Sequence, residues 1–98
     1  MIIINKDKAQ QVIVDNFIVT VQSYLDTTAQ ERGYDNILSL CTYATSAIDK
    51  FKLEGQAGVD FRDAVWTKCY AILAEVQAGT RAMPTDILSE LPIFTWGE

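Results

Sequence analysis

Apolar residues recur at helical spacing in the first third of the chain. Between residues 8 and 32 they follow the i, i+3, i+4, i+7 rule of an amphipathic helix, and no Gly or Pro interrupts them. The β-branched composition would also suit strands, but the spacing favours one helix over residues 8–32. Asp7 can cap its start, and Gly33 fits the left-handed position after a helix. The apolar positions are Val14, Phe17, Ile18, Val21, Tyr24, Leu25 and Thr28.

The apolar arc of this first helix is wider than one stripe, because Val12 and Val19 add to it. A helix that is apolar beyond one stripe is buried on more than one side. In a chain this short, we expect part of that surface to meet another subunit or a partner protein.

A second helix is predicted to begin at Asp35 or Asn36, either of which can serve as its N-cap. Residues 52–58 then contain Gly55 and Gly58, each of which costs about 1 kcal/mol in a helix interior. We therefore predict a kink, a frayed turn or a short loop in residues 52–58. The apolar stripe of the second helix is Ile37, Leu40, Cys41, Ala44, Ala47, Ile48 and Phe51.

The third helix is predicted to end at Ala78, since Gly79 is a typical stop and Pro84 bars continuation. Arg81 is placed to bind the last carbonyls of that helix. The main stripe is Phe61, Val65, Cys69, Ile72 and Val76, and Trp66, Tyr70 and Leu73 widen it.

A short fourth helix is predicted over residues 86–91, with Thr85 as its cap and Pro92 as its end. Ile93, Phe94 and Trp96 then form an extended aromatic tail, which we expect to fold back over the helices.

The chain opens with the β-branched run Ile2, Ile3 and Ile4. We assign residues 1–7 to an N-terminal arm and residues 8–98 to a single helical domain. The arm can add a strand to another chain or lie in a partner's groove. Alternatively, it lies against its own domain.

Composition indicates one packed domain, with 49% apolar and 21% charged residues in 98 positions. The net charge is −5 and the eight basic residues are scattered, which argues against nucleic acid and against an anionic membrane surface. No apolar run approaches the roughly 20 residues of a membrane span. We expect a soluble protein that is made in the cytoplasm.

The chain has no histidine, and its two cysteines are Cys41 and Cys69. They are interpreted as buried free thiols, although a disulfide is open if their Cα atoms lie within about 7 Å. Asp60 and Asp63 share a helix face and are interpreted as solvated. Without a histidine to activate a serine, the serine-hydrolase interpretation is close to excluded. No catalytic, cofactor-binding or metal-binding residue is therefore predicted, and we do not expect an enzyme.

Three aromatic residues are the sharpest candidates for partner contact, because Trp is enriched at interface hot spots. In a domain this small, each ring could equally belong to the core. They are Trp66, Phe94 and Trp96.

Short blocks within residues 26–96 resemble a helical module of tailed-bacteriophage and prophage proteins that are encoded among tail-fibre genes. That module typically ends in Leu-Pro-x-Phe-x-Trp, which residues 91–96 match. The glycine-rich segment before Phe61 departs from it, and the module offers no active site to carry over. The resemblance implies a structural or assembly role around the phage tail, without chemistry. The other blocks are Tyr34-Asp35-Asn36-Ile37, Tyr43-Ala44-Thr45-Ser46, Phe61-Arg62-Asp63-Ala64-Val65-Trp66, Glu75-Val76-Gln77-Ala78-Gly79-Thr80-Arg81 and Pro84-Thr85.

Together these features predict an all-α protein: a three-helix bundle with a short fourth C-terminal helix and a short extended N-terminal arm. We expect a virion protein of the tail that binds tail-fibre or other tail components, as a homo-oligomer or in several copies. The alternative is a tail-fibre assembly chaperone that leaves before the virion is complete, and a small enzyme or regulator acting in the host has no residue-level support. The predicted contact residues are Ile2, Ile3, Ile4, Val12, Val19, Trp66, Phe94 and Trp96.

Overall fold

The computed structural model describes residues 8–96, and within that range the chain contains helices and turns but no strand. The prediction of an all-α fold is confirmed. Helix α1 is Lys8–Gln30, α2 is Ile37–Thr42 and α3 is Asp49–Ala78. A 3-10 turn, Tyr43–Thr45, follows α2 directly, and a second 3-10 turn is Ile87–Glu90. The predicted arm with Ile2, Ile3 and Ile4, and the predicted Asp7 cap, lie outside the described residues.

Helices α1 and α3 run antiparallel. Arg32, just after α1, contacts Glu54 near the start of α3. The rings of Tyr24 and Phe61 lie 5.7 Å apart, and Phe61 is about two turns further along α3. The molecule is elongated, with extents of 48 × 21 × 20 Å. Side chains from both long helices, α2 and the C-terminal segment share one core. It consists of Val14, Phe17, Val21, Leu25, Ala29, Ile37, Leu40, Phe61, Val65, Cys69, Ile72, Leu73, Ile87 and Leu91.

The helix ends follow the predicted signals closely. Gly33 (φ +86°) and Gly79 (φ +79°) both adopt the left-handed conformation after a helix, so both glycine stops are confirmed. Helix α1 ends at Gln30, two residues before the predicted end. Of the two proposed caps for α2, Asn36 is the one used: its side chain accepts a hydrogen bond from the Ser39 amide at 2.8 Å.

The predicted course of the second helix is wrong. It was expected to continue to Phe51, but α2 ends at Thr42 and α3 begins at Asp49. The backbone is extended at Ser46 and at Ile48, and the Ser46 hydroxyl accepts a hydrogen bond from the Ile48 amide at 3.1 Å. A side chain that binds the backbone locally in this way competes with helix formation.

The predicted break in residues 52–58 is also wrong, because Gly55 and Gly58 are buried within α3. A Cβ atom at Gly55 would collide with the backbone nitrogen of Ala44, and one at Gly58 would lie 2.7 Å from Leu40 Cγ. These glycines therefore let the α2 segment approach α3 closely, and that approach offsets their low helix propensity.

The C-terminal segment differs from prediction in two details. Where a fourth helix capped by Thr85 was expected, the chain forms the four-residue 3-10 turn Ile87–Glu90, preceded by Asp86 without a side-chain cap. Arg81 does not bind the carbonyls of α3, which accept the amides of Gly79 and Thr80 instead. Its guanidinium forms two hydrogen bonds with the Glu90 carboxylate, at 3.0 and 2.8 Å, because that paired geometry suits a carboxylate better than a carbonyl. Residues 91–96, the C-terminal strap, fold back over the helices.

Candidate interaction surface

The solvent-facing side of α1 carries an unusually apolar and uncharged stripe. Val12 is 53% exposed and Val19 is 65% exposed, and between residues 9 and 30 the only charged residues are Asp15 and Asp26. Helix faces that meet water normally carry charged side chains, so this side of α1 has the composition of a contact surface. We call it the outer stripe; its exposed members are Val12, Ile13, Asn16, Val19, Thr20, Ser23 and Thr27.

A shallow groove runs beside the outer stripe, where the segment of residues 83–88 forms its second wall. It consists of two concavities of about 400 and 270 Å³, both of which are lined by Thr20 and Leu88. The two concavities are neighbours at these residues, and we call them together the α1 groove. The floor includes Phe17 and Tyr24, both of which pack against the core.

The α1 groove is nearly free of charge. Among the lining residues that the structure describes, Asp86 is the only one of the charged types Asp, Glu, Lys and Arg. The Thr20 hydroxyl donates within the helix to the Asn16 carbonyl at 2.9 Å, so its proton is already used. Covering this surface would require little removal of water from charged groups, which is the expensive part of forming an interface.

The structure places the other predicted contact residues in two different settings. Trp66 is half-buried against the core and lies 6.0 Å from the ring of Tyr70. Phe94 and Trp96 belong to the C-terminal strap and make their contacts within the chain. Whether any of the described candidates binds a partner stays a prediction, and Ile2, Ile3 and Ile4 lie outside the part of the chain described. The described candidates are Val12, Val19, Trp66, Phe94 and Trp96.

The strap is held by aromatic contacts. Phe94 packs at 4.8 Å from Phe61, and Trp96 stacks on Tyr34 at 6.2 Å with an interplanar angle of 17°. The Arg32 guanidinium lies 4.9 Å from the centre of the Trp96 ring, a cation–π distance. The expectation that this tail folds back over the helices is therefore confirmed.

Beneath these aromatic contacts lies Glu54, a charged residue that the sequence reasoning missed. It is 4% exposed, and its carboxylate accepts hydrogen bonds from Arg32 at 2.5 Å and from the Tyr34 hydroxyl at 2.7 Å. A signal was present, because Glu54 continues the buried positions of α3 at 58, 61 and 65 with helical spacing. An acid at such a position requires a partner.

Burial raises the pKa of the Glu54 carboxyl, but the hydrogen bonds from Tyr34 and Arg32 and the charges of Arg32 and Lys50 outweigh it. The pKa of Glu54 is therefore lower than its ordinary value. Burial and the hydrogen bond to Glu54 raise the pKa of Tyr34 to about 12. At neutral pH the carboxylate is ionised and the phenol is a donor.

Both cysteines are free, so the disulfide alternative is wrong. Burial raises the pKa of the Cys69 thiol to about 11. Burial also raises the pKa of Cys41, despite the opposing charge and hydrogen bond of Arg62. Because the thiolate is the reactive form, neither cysteine is set up as a nucleophile at neutral pH.

Among the residues described, no three His, Cys, Asp or Glu side chains converge in a way that could hold a metal ion. Within residues 8–96, no helix has both the length and the apolar character to cross a membrane. No protein-family model, curated protein or solved structure matches the chain.

Proposed function

We propose that this protein is a non-enzymatic component of a phage tail that binds tail-fibre or other tail proteins through the α1 groove. The observation that carries the proposal is the exposed, uncharged outer stripe around Val12 and Val19. The phage setting is supported by the resemblance of the blocks in residues 26–96. In this proposal the protein is made in the host cytoplasm, is retained in the virion, and is present in several copies.

The outer stripe supports binding because none of its members is charged, and the nearby Asp26 is already engaged in hydrogen bonds. The Asp26 carboxylate accepts hydrogen bonds from the Ile37 amide at 3.0 Å and the Gln22 side chain at 3.1 Å. It therefore ties α1 to the start of α2. A partner that covers Val12 and Val19 gains apolar contact without separating that carboxylate from its donors.

We propose further that the three helices act as one bundle that displays the stripe rigidly. Val14, Phe17 and Val21 are buried on the opposite side of the same helix. Contact surfaces on regular elements hold their side chains more precisely than surfaces on loops. The groove would then accept an uncharged apolar segment of the partner.

Site-specific cross-linking tests the surface. A photoreactive amino acid at Val19 should cross-link to a tail protein during infection or in reconstituted tails. The matched control is Thr67, which is exposed on α3. Cross-links of equal yield from both positions, or from neither, would contradict binding through the α1 groove.

Mass spectrometry of purified particles tests the location. We expect the protein at fixed stoichiometry relative to the tail proteins. Its absence from particles despite strong expression would contradict the virion role and support the assembly chaperone instead.

A further inference from the structure

The C-terminal strap is fixed at its two ends more firmly than along its length. Leu91 belongs to the core and the Tyr24 hydroxyl donates to the Pro92 carbonyl at 3.0 Å, whereas Ile93 is 89% exposed. A concavity of about 330 Å³ lies beside the strap and is lined by residues of both the strap and α3, including Phe94 and Phe61. The far end of the strap is therefore anchored mainly through its aromatic side chains.

Two residues that hold that far end share one carboxylate. Trp96 contacts Arg32 through a cation–π interaction and Tyr34 through ring stacking. Both of these residues donate hydrogen bonds to Glu54. Glu54 lies on α3, whereas Arg32 and Tyr34 lie between α1 and α2, so the carboxylate fixes two neighbours of Trp96 against a different helix.

We propose that Glu54 acts as a latch for the strap, so that loss of its negative charge releases Trp96 while the helices stay folded. The ionised carboxylate positions Arg32 and Tyr34 as two sides of the Trp96 site. Protonation of Glu54 removes its ion pair with Arg32 and converts one carboxylate oxygen from an acceptor into a donor. Arg32 and Tyr34 then lose the acceptor that they share. This coupling is independent of the proposed tail function.

The charged and titratable groups around Glu54 set the direction of the pH dependence. They are Arg32 and Tyr34 from the segment between α1 and α2, and Lys50 from α3 itself. Tyr43 lies next to Tyr34 and raises the pKa of that phenol. Since the pKa of Glu54 is lower in the folded protein, the closed strap is favoured at pH values above 4.5, the ordinary pKa of this carboxyl. The closed strap is lost as the pH falls through the lowered pKa of Glu54.

Fluorescence quenching of Trp96 tests the latch in the full-length chain. Trp66→Phe leaves Trp96 as the only tryptophan of the chain, and acrylamide then reports its exposure. In this background, Glu54→Gln at neutral pH should raise the open-to-closed ratio of the strap by about tenfold, the effect of losing one charge-assisted hydrogen bond. The quenching constant should rise accordingly, and helical circular dichroism should remain unchanged.

The matched control is Glu90→Gln, which neutralises the carboxylate that pairs with Arg81 away from the Trp96 site. It should leave the quenching of Trp96 as it was. Equal quenching in the parent and in Glu54→Gln would overturn the latch. Equal increases in Glu54→Gln and Glu90→Gln would overturn it as well.

An acid titration of the protein that retains Glu54 provides the second measurement. It tests the latch even if Glu54→Gln fails to fold. Quenching should rise as the pH falls below the ordinary carboxyl value of 4.5, before helical circular dichroism is lost. If exposure of Trp96 and loss of helix coincide at one pH, the strap is part of the global unfolding unit and the proposal is wrong.

Discussion

At the scale of single residues, the ion pair of Glu54 and Arg32 joins a nearly buried side chain to a partly exposed one. The side-chain exposures are 5% for Glu54 and 32% for Arg32. Removing the Arg32 cation would leave the Glu54 carboxylate buried without its ion-pair partner, although the Tyr34 hydroxyl would still donate to it. An uncompensated buried charge is more destabilising than the absence of the whole pair.

We therefore predict that Arg32→Ala lowers the free energy of unfolding by about 2 kcal/mol at neutral pH, below the usual range for buried pairs because Arg32 is partly hydrated. Urea denaturation measures the change. The pKa of Glu54 is lower in the folded state, so the ion pair stabilises the fold at pH values above 4.5, the ordinary pKa, and this stabilisation is lost on acidification. The difference in unfolding free energy between Arg32→Ala and the parent should therefore become smaller as the pH falls.

Lys52→Ala is the matched control for this prediction, because Lys52 is an exposed cation near the start of α3. We expect it to change the free energy of unfolding by less than about 0.5 kcal/mol. An equal loss of unfolding free energy in the two variants would show that the buried ion pair stabilises the protein no more than an exposed lysine does.

Gly55 carries the second residue-scale prediction. Replacing an interior helix glycine by alanine normally stabilises a helix by about 1 kcal/mol. Here the added Cβ would collide with the backbone at Ala44, which cannot rotate away. Gly55→Ala should therefore destabilise the protein by about 3 kcal/mol, at the upper end of overpacking effects, as measured by thermal or urea denaturation.

Two neighbouring substitutions calibrate this effect. Gly58→Ala meets the side chain of Leu40 rather than backbone, and we expect a smaller loss because side chains can repack. Gln56→Ala alters the exposed residue next to Gly55 and should be nearly neutral. If Gly55→Ala stabilised the protein, the close approach of α2 to α3 would be contradicted.

At the scale of elements, periodicity predicted α1 and the part of α3 after Gly58, and glycine predicted the C-terminal ends of both helices. The break between α2 and α3 was missed, because its cause is a hydrogen bond from the Ile48 amide to Ser46 in a segment without Gly or Pro. The glycines of α3 led to the wrong prediction of a break, because the reason for their presence also lies outside the helix. Gly55 weakens a helix considered alone, and only the packing partner 11 positions earlier, Ala44, shows why it is there.

Only the local part of the candidate surface could be predicted from the sequence, because contacts between distant segments leave no local pattern. The outer stripe is local, so Val12 and Val19 revealed it by their spacing. The second wall of the groove, residues 83–88, depends on how the chain returns after Gly79, which no local pattern specifies. The partners of Glu54 also come from a separate segment, and so the buried acid could have been suspected but not paired.

Val19→Glu tests the outer stripe of α1. We predict that it weakens association with a partner or another copy more than it weakens folding, because Val19 is 65% exposed. Val21→Glu is the matched control, since Val21 is 0% exposed and a charge there should unfold the domain. Thermal melting and light scattering separate the two effects, and unfolding by Val19→Glu would mean that the wide apolar arc is core.

At the scale of the whole molecule, the elongated shape offers a long side for association. The extents of 48 × 21 × 20 Å give a side face of about 1,000 Å², and stable interfaces bury about 800 Å² per partner. We predict that the isolated protein self-associates at micromolar concentration. Light scattering should report a mass above the 11.0 kDa of one chain; a monodisperse 11.0 kDa species would rule out the oligomer.

The strap also has a consequence for the order in which the chain folds. Contacts between α2 and α3 join residues close in sequence, such as Leu40 and Gly58, whereas the Tyr24–Pro92 hydrogen bond spans 68 positions. Closing a long loop early is entropically unfavourable, so the α2–α3 unit should condense first and the strap should dock last. Interactions formed after the folding barrier govern the unfolding rate. The aromatic residues at the end of the chain would then determine chiefly how long the native state survives, and hardly how fast it is reached.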